Sequence, residues 1–153
     1  KVMEKACEFL NDMEIPFEVN ALSAHRTPDA VETFAKNAAS RGIEVIIAAA
    51  GMAAALPGVF AASTSLPVIG VPIKGMLDGL DSLLSIVQMP PGIPVATVGV
   101  NGALNAAILA AQIISISDSE VKQKVMEYKA GLGSKIEKAN RELAEIKYAF
   151  KTN

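Results

Sequence analysis

Residues 44–72, EVIIAAAGMAAALPGVFAASTSLPVIGVP, contain the pattern that decides the fold. Residues 44–49 and 67–72 are short apolar runs, without the polar alternation of a strand that has one face in water. Residues 53–62 lie between them and are compatible with a helix. Strand, helix and strand at this spacing are typical of parallel βαβ units, whose sheet is covered by helices on both sides.

The same alternation continues in both directions along the chain. Further strands are predicted at residues 17–22 and 94–100, and helices at residues 1–13, 28–41, 77–87, 104–116 and 119–150. The last helix has a weak point at Gly131–Gly133. We therefore predict one α/β domain over residues 1–153, a three-layer α/β/α sandwich with a parallel sheet and a helical extension from about residue 118. Because a strand normally precedes the first helix in this class, we expect an N-terminal strand to be missing from this sequence.

The charges are distributed unevenly. Residues 42–117 carry only four charged side chains, whereas residues 1–41 carry 12 and residues 118–153 carry 14. The net charge of −2 and the hydrophobic share of 51% argue against a nucleic-acid-binding patch and against a disordered chain. Proline and glycine interrupt every long uncharged run, so a membrane-spanning helix is not expected. The uncharged stretch is therefore predicted to lie in the core or between copies of the chain.

Residues 23–28, SAHRTP, are the first candidate site, because ligands of open parallel sheets bind beyond the carboxyl ends of the strands. His25 is the only histidine of the chain and a natural proton carrier near neutral pH. Arg26 offers donors for a phosphate or carboxylate, Ser23 adds a hydroxyl, and Pro28 opens a helix whose N-terminus favours anions. The alternative is structural: His25 bridges a loop and Arg26 forms a surface ion pair.

Two further segments fall at the same edge of the predicted sheet. Residues 50–58 consist of small side chains that allow a ligand to approach the backbone, or that simply allow close packing of helix on sheet. Residues 88–94 form a proline-rich turn, which is structural unless other residues give it a role. The sequence contains no phosphate-binding GxxxxGK loop, no GxGxxG and no metal-ligand spacing. The single cysteine, Cys7, permits no internal disulfide and fits a cytoplasmic protein.

Five segments in this order and spacing resemble the 5-carboxyaminoimidazole ribonucleotide mutase family of purine biosynthesis, also known as the catalytic subunit of phosphoribosylaminoimidazole carboxylase. The segments are SAHRTP, AAAGMAAALPG, PVIGVP, DSLLSIVQMPPGIPVATVGV and NAAILAAQI. The resemblance implies a flavodoxin-like fold, a homo-octamer, a ribonucleotide substrate, and neither a metal nor an organic cofactor. The implied reaction is an isomerisation that moves a carboxylate from the exocyclic nitrogen to a ring carbon of aminoimidazole ribonucleotide.

The resemblance also implies roles for individual residues. His25 corresponds to the catalytic histidine, and Arg26 to the arginine that holds the phosphate. The other substrate-binding residues it implies are Ser23, Ala24, Gly51, Met52, Leu56, Gln88, Met89 and Pro90. Gly51 and its neighbours would line the carboxylate pocket, and the last three residues would belong to a segment of a neighbouring subunit that closes the site.

Two departures from the family pattern bear on function. The family begins with a strand and a Gly-Ser-x-Ser-Asp loop for phosphate and ribose, which is expected just before Lys1. The family's Ala-Ala-His-Leu-Pro-Gly reads AAALPG at residues 53–58, so Ala55 replaces a second histidine. Three hypotheses remain: a mutase, a carboxylase that uses carbon dioxide directly on aminoimidazole ribonucleotide, and a non-catalytic nucleotide-binding relative.

Overall fold

The computed structural model describes residues 1–152 apart from the side chain of Lys135, and Asn153, the last residue of the predicted domain, lies outside the described residues. The elements follow in the order α1 (Glu4–Asp12), α2 (Pro28–Ala38), β1 (Ile46–Ala50), α3 (Leu56–Ser63), β2 (Val68–Pro72), α4 (Leu80–Val87), β3 (Ala96–Thr97), α5 (Ala103–Ile114) and α6 (Ser119–Glu145). Among the described residues, no helix is both long enough and apolar enough to cross a membrane.

The three strands form a parallel sheet in the order β1-β2-β3. Ile46 lies opposite Val68 at one end of the β1–β2 pair, and Ala50 lies opposite Pro72 at the other. The central strand β2 is buried over its whole length, which explains its uninterrupted apolar sequence. The predicted βαβ arrangement is confirmed, and the carboxyl ends of all three strands meet at one edge.

Helices cover both faces of this sheet. On one face, Ile69 and Val71 of β2 belong to a core with residues of α1, α5 and α6. On the other face, Ile46, Ala48 and Val68 belong to a core with residues of α2 and α3. Helix α4 covers the second face as well, because the Cγ2 of Ile86 lies against the Cα of Gly70. This gives the predicted three layers of helix, sheet and helix.

The predicted strand at residues 17–22 is wrong. This segment has no regular secondary structure, and the side chains of Phe17 and Val19 are 44% and 72% exposed. A strand needs a neighbour for its backbone hydrogen bonds, and β-forming residues alone do not supply one. The segment is attached by its side chains instead: Glu18 accepts a hydrogen bond from Arg41, and this bond lowers the pKa of the Glu18 carboxyl group.

The ends of several elements also differ from the sequence prediction. Helix α4 begins at Leu80 and not at residue 77, because Leu77 and Asp78 have left-handed backbones with φ of 45° and 55°. Residues 94–100 form only a two-residue strand, Ala96–Thr97. Helix α6 is continuous through Gly131–Gly133, so these glycines do not divide it.

Candidate functional site

Backbone strain is concentrated at the carboxyl edge of the sheet. Among the described residues, six residues other than glycine have a positive φ, and five of them follow the ends of β1, β2 and β3: Met52, Ala54, Leu77, Asp78 and Asn101. Such conformations cost about 1–3 kcal/mol each and occur most often at functional sites. This edge of the sheet is therefore the candidate site.

His25 lies in a tight turn just before α2. The turn is closed by Ser23 and Thr27: the Thr27 hydroxyl accepts a hydrogen bond from the Ser23 N–H (2.9 Å) and donates one to the Ser23 carbonyl (3.1 Å). The Ser23 hydroxyl accepts a further bond from the Arg26 N–H (3.2 Å). The polar atoms of Ser23 and Thr27 thus hold the backbone, while the side chains of His25 and Arg26 are exposed and free to contact a ligand.

Thr27 occupies the capping position of α2 without capping the helix through its side chain. It is the N-cap residue, but its side chain makes no capping hydrogen bond to the helix. The hydroxyl is engaged with Ser23 instead. Helix α2 therefore begins with backbone N–H groups that its N-cap side chain does not satisfy, next to Arg26, an arrangement that favours an anion.

The residues after β1 form a turn that packs against the end of β2 and the core below it. Gly51 is half-buried, and a side chain at this position would be 3.5 Å from the carbonyl oxygen of Ile73. The Ala54 N–H donates to the Gly51 carbonyl (3.0 Å), which closes a turn that projects Met52 into solvent with 63% of its surface exposed. Leu56 is half-buried and packs against the core beneath α2 and α3.

The segment after α4 enters β3 at its amino end, so the prediction that residues 88–94 lie at the carboxyl edge of the sheet is wrong. The segment nevertheless contacts the residues after β1 within one chain. The sulfur and terminal methyl group of Met89 lie 3.3 Å from the position that a Cβ on Gly58 would take. Met89 therefore packs closely against Gly58. Gln88 and Pro90, on either side of Met89, are exposed.

Leu22, which directly precedes the His25 turn, packs against the same core as Leu56. The first two predicted segments therefore rest on a common apolar base.

The loop between β2 and α4 was not among the predicted site segments. The Asn101 side-chain oxygen accepts a hydrogen bond from the Lys74 N–H (3.0 Å), and the Asn101 N–H donates to the Pro72 carbonyl (2.8 Å). The buried Ser82 hydroxyl reaches the Ile73 carbonyl (3.0 Å) from α4. The sequence feature that could have identified this loop as part of the site is Lys74, the only cationic side chain in residues 42–117.

The site segments are open to solvent in a single chain. Two shallow surface hollows lie away from these segments, one beside Glu44 and residues 117–120, and the other along α2. The described residues contain no group of three or more His, Cys, Asp or Glu side chains arranged to hold a metal ion. The groups that could act on a ligand at this edge are an imidazole, a guanidinium, an ammonium and backbone N–H groups.

Comparison with known proteins agrees with this geometry. The sequence profile of the AIR carboxylase family matches residues 1–135. The N5-carboxyaminoimidazole ribonucleotide mutase of Pyrococcus abyssi is 60% identical over 129 residues, covering 84% of this chain and 74% of that protein. That of Thermotoga maritima is 56% identical over 149 residues, covering 96% and 86%.

A solved crystal structure has the same fold as this chain. The crystal structure of Treponema denticola PurE superposes with a TM-score of 0.82 at 29% identity, covering 93% of this chain and 89% of that one. The family profile spans the candidate site, from the His25 turn through the segments after β1 and α4. The chain belongs to the AIR carboxylase family.

Proposed function

We propose that this chain is an N5-carboxyaminoimidazole ribonucleotide mutase, an isomerase of purine biosynthesis. It moves a carboxylate from the exocyclic nitrogen to a ring carbon of aminoimidazole ribonucleotide. The observation that carries the proposal is the Ser23–Thr27 turn, which presents His25 and Arg26 at the start of α2 in a chain 56–60% identical to two such mutases. A cytoplasmic location fits this role and the single cysteine.

The reaction divides into two steps that share one proton carrier. In the first, the bond between the exocyclic nitrogen and the carboxylate breaks, carbon dioxide forms, and the nitrogen takes up a proton. In the second, the ring carbon attacks the retained carbon dioxide and loses its own proton. His25 accepts and returns this proton, since an exposed imidazole on a rigid turn can reach both positions of a bound ring.

The other site residues bind the substrate. Arg26 and the first N–H groups of α2 hold the phosphate, because both favour an anion. Ser23 and Ala24 contact the ribonucleotide. Gly51, Met52 and Leu56 line the carboxylate pocket, and Gln88, Met89 and Pro90 close it, so that water is excluded and carbon dioxide is retained.

An assay with two substrates tests the proposed reaction. We expect turnover of the carboxyamino ribonucleotide to its ring-carboxylated isomer, measured by ultraviolet absorbance without ATP or added metal. The family description, AIR carboxylase, supports a second candidate function, direct carboxylation of aminoimidazole ribonucleotide by dissolved carbon dioxide. A faster rate with the second substrate pair would favour the carboxylase, and binding without turnover of either would favour a non-catalytic relative.

Ala55 gives a prediction about catalytic rate. It is the half-buried N-cap residue of α3, at the position where the family pattern has a second histidine. We expect Ala55→His to raise kcat by about tenfold or more, because one positioned acid–base group commonly contributes 10²–10⁴-fold. The matched control is Ala53→His, which places an imidazole two residues away on an exposed position of the same segment. Equal rates for Ala55→His and the unaltered protein would contradict a role for the second histidine.

We further propose that the chain assembles as a homo-octamer. Its accessible surface is 9,943 Å², whereas a compact monomer of 16.0 kDa is expected to have about 7,400 Å². Helix α4 exposes an apolar face made of Leu80, Leu84 and Val87. Burial of this face against another chain removes the apolar surface from water.

Substitution on this face tests the assembly. We expect the unaltered protein to elute with a mass about eight times 16.0 kDa, measured by light scattering after size-exclusion chromatography. Leu84→Glu should shift it to smaller species, because a charge buried in an apolar interface is not solvated. Val19→Glu is the matched control, an exposed apolar residue outside α4. A monomeric unaltered protein, or an unchanged mass for Leu84→Glu, would contradict this interface.

A further inference from the structure

Lys74 is the one cation in a stretch of 76 residues, and it lies at the functional edge of the sheet. Residues 42–117 otherwise carry only Glu44, Asp78 and Asp81 as charges. Lys74 comes two residues after the end of β2, between strand and helix. A lone positive charge at the carboxyl edge of a parallel sheet is placed where a ligand binds.

The backbone of Lys74 is held next to the proposed carboxylate pocket. The N–H of Ile73, the residue before it, donates to the carbonyl of Ala50 at the end of β1 (2.9 Å), and Gly51 lies against Ile73. The N–H of Lys74 itself donates to the Asn101 side chain (3.0 Å). Three strand ends therefore fix the point from which this side chain extends.

The ammonium group of Lys74 is available to a ligand at low cost. Its partner is Asp78 at 3.0 Å, and the two side chains are 58% and 88% exposed. An exposed pair of this kind contributes only about 0–1 kcal/mol, because water screens both charges. A carboxylate of the substrate can thus replace Asp78 without a large loss of stability.

We propose that Lys74 is a substrate-binding residue that holds the migrating carboxylate in the ground state, in exchange for Asp78. This rests on the proposed mutase function, whose substrate carries two anions. Arg26 and the N-terminus of α2 serve the phosphate, and Lys74 serves the carboxylate beside Gly51. The carboxylate becomes neutral carbon dioxide when its bond to nitrogen breaks, so Lys74 loses its partner as the reaction proceeds. Lys74→Gln is therefore expected to raise KM and kcat together, since Lys74 binds the ground state and not the transition state.

Calorimetry with two ligands tests the inference independently of turnover. The ring-carboxylated ribonucleotide carries carboxylate and phosphate, whereas aminoimidazole ribonucleotide carries the phosphate alone. We expect Lys74→Gln to weaken binding of the first by about tenfold, the loss of one charge-assisted hydrogen bond, and to leave binding of the second unchanged. Lys36→Gln is the matched control, because Lys36 forms the same kind of exposed i,i+4 pair with Glu32 on α2.

Each outcome has one meaning. Equal weakening of both ligands by Lys74→Gln would place Lys74 at the phosphate and overturn the inference. Unchanged binding of both ligands, with tight binding by the unaltered protein, would overturn it and leave the mutase proposal standing. If the unaltered protein bound neither ribonucleotide, the mutase proposal would fail and the inference with it. In steady-state assays the expected signature of Lys74→Gln is a KM about tenfold higher with a kcat that rises in parallel, so that kcat/KM does not change.

Discussion

Replacement of His25 by asparagine is expected to abolish measurable turnover, with a loss in kcat of about 10²–10⁴-fold. The chain contains no other histidine, so no second imidazole can take over proton transfer. Asparagine can form hydrogen bonds but does not exchange a proton near neutral pH. The measurement is the initial rate of conversion of the carboxyamino ribonucleotide, compared at equal protein concentration.

Two control measurements on this variant are its thermal stability and its affinity for the ribonucleotide. His25 is exposed, and the hydrogen bonds of its turn come from Ser23, Thr27 and the Arg26 backbone, so the thermal unfolding midpoint should not change. Binding of the ribonucleotide should also persist, because Arg26 and the N-terminus of α2 remain. A variant with a nearly normal rate would remove His25 from the mechanism.

A large loss of stability is expected for Gly70→Ala in the central strand β2. A Cβ at this position would lie 2.3 Å from the Cγ2 of Ile86 and 3.1 Å from the Cγ1 of Val95. Ile86 is completely buried, so relief of this contact requires shifts within the packed core. We expect a loss of about 3 kcal/mol in the free energy of unfolding, the upper range for overpacking. The measurement is urea unfolding followed by circular dichroism at a fixed protein concentration.

A double-mutant cycle identifies the cause of this loss. Ile86→Ala alone should cost about 2–5 kcal/mol through the cavity it leaves. In the double variant the new methyl group of residue 70 fills part of that cavity, so its cost should be smaller than the sum of the two single costs. Gly99→Ala is the control, because nothing lies within 4 Å of a Cβ there. Strictly additive costs would show that the contact with Ile86 is not the reason for the glycine.

Most helices and the βαβ core could be predicted from local patterns. Helix α2 has Thr27 and Pro28 at its start and Gly42 with a φ of 84° after its end, and the observed limits of the helix lie within a few residues of these signals. Strands β1 and β2 lie within one or two residues of their predicted limits, because a run of apolar residues between turn signals has few other solutions. The His25 turn was likewise visible as a short motif between an apolar segment and a helix start.

The failures have a common physical cause, which is that they depend on partners distant in sequence. Residues 17–22 have strand-forming side chains but no strand beside them in the described chain. Helix α4 begins later than predicted because Leu77 and Asp78 have left-handed backbones. They belong to a loop that is hydrogen-bonded to Asn101 through the Lys74 N–H. Neither feature has a signature in the local sequence.

The sequence by itself determined the class of the fold, the two-sided burial of the strands and the presence of His25 and Arg26 before a helix. These follow from hydrophobic periodicity and from the properties of single residues, which act over a few positions of the chain. Only the tertiary structure decided which segments meet: Met89 against Gly58, and Lys74 between the ends of three strands. The position of Lys74 arises because parallel pairing brings the carboxyl ends of separate strands to one edge. Met89 reaches Gly58 because α3 and α4 cover the same face of the sheet, and no local pattern encodes either distance.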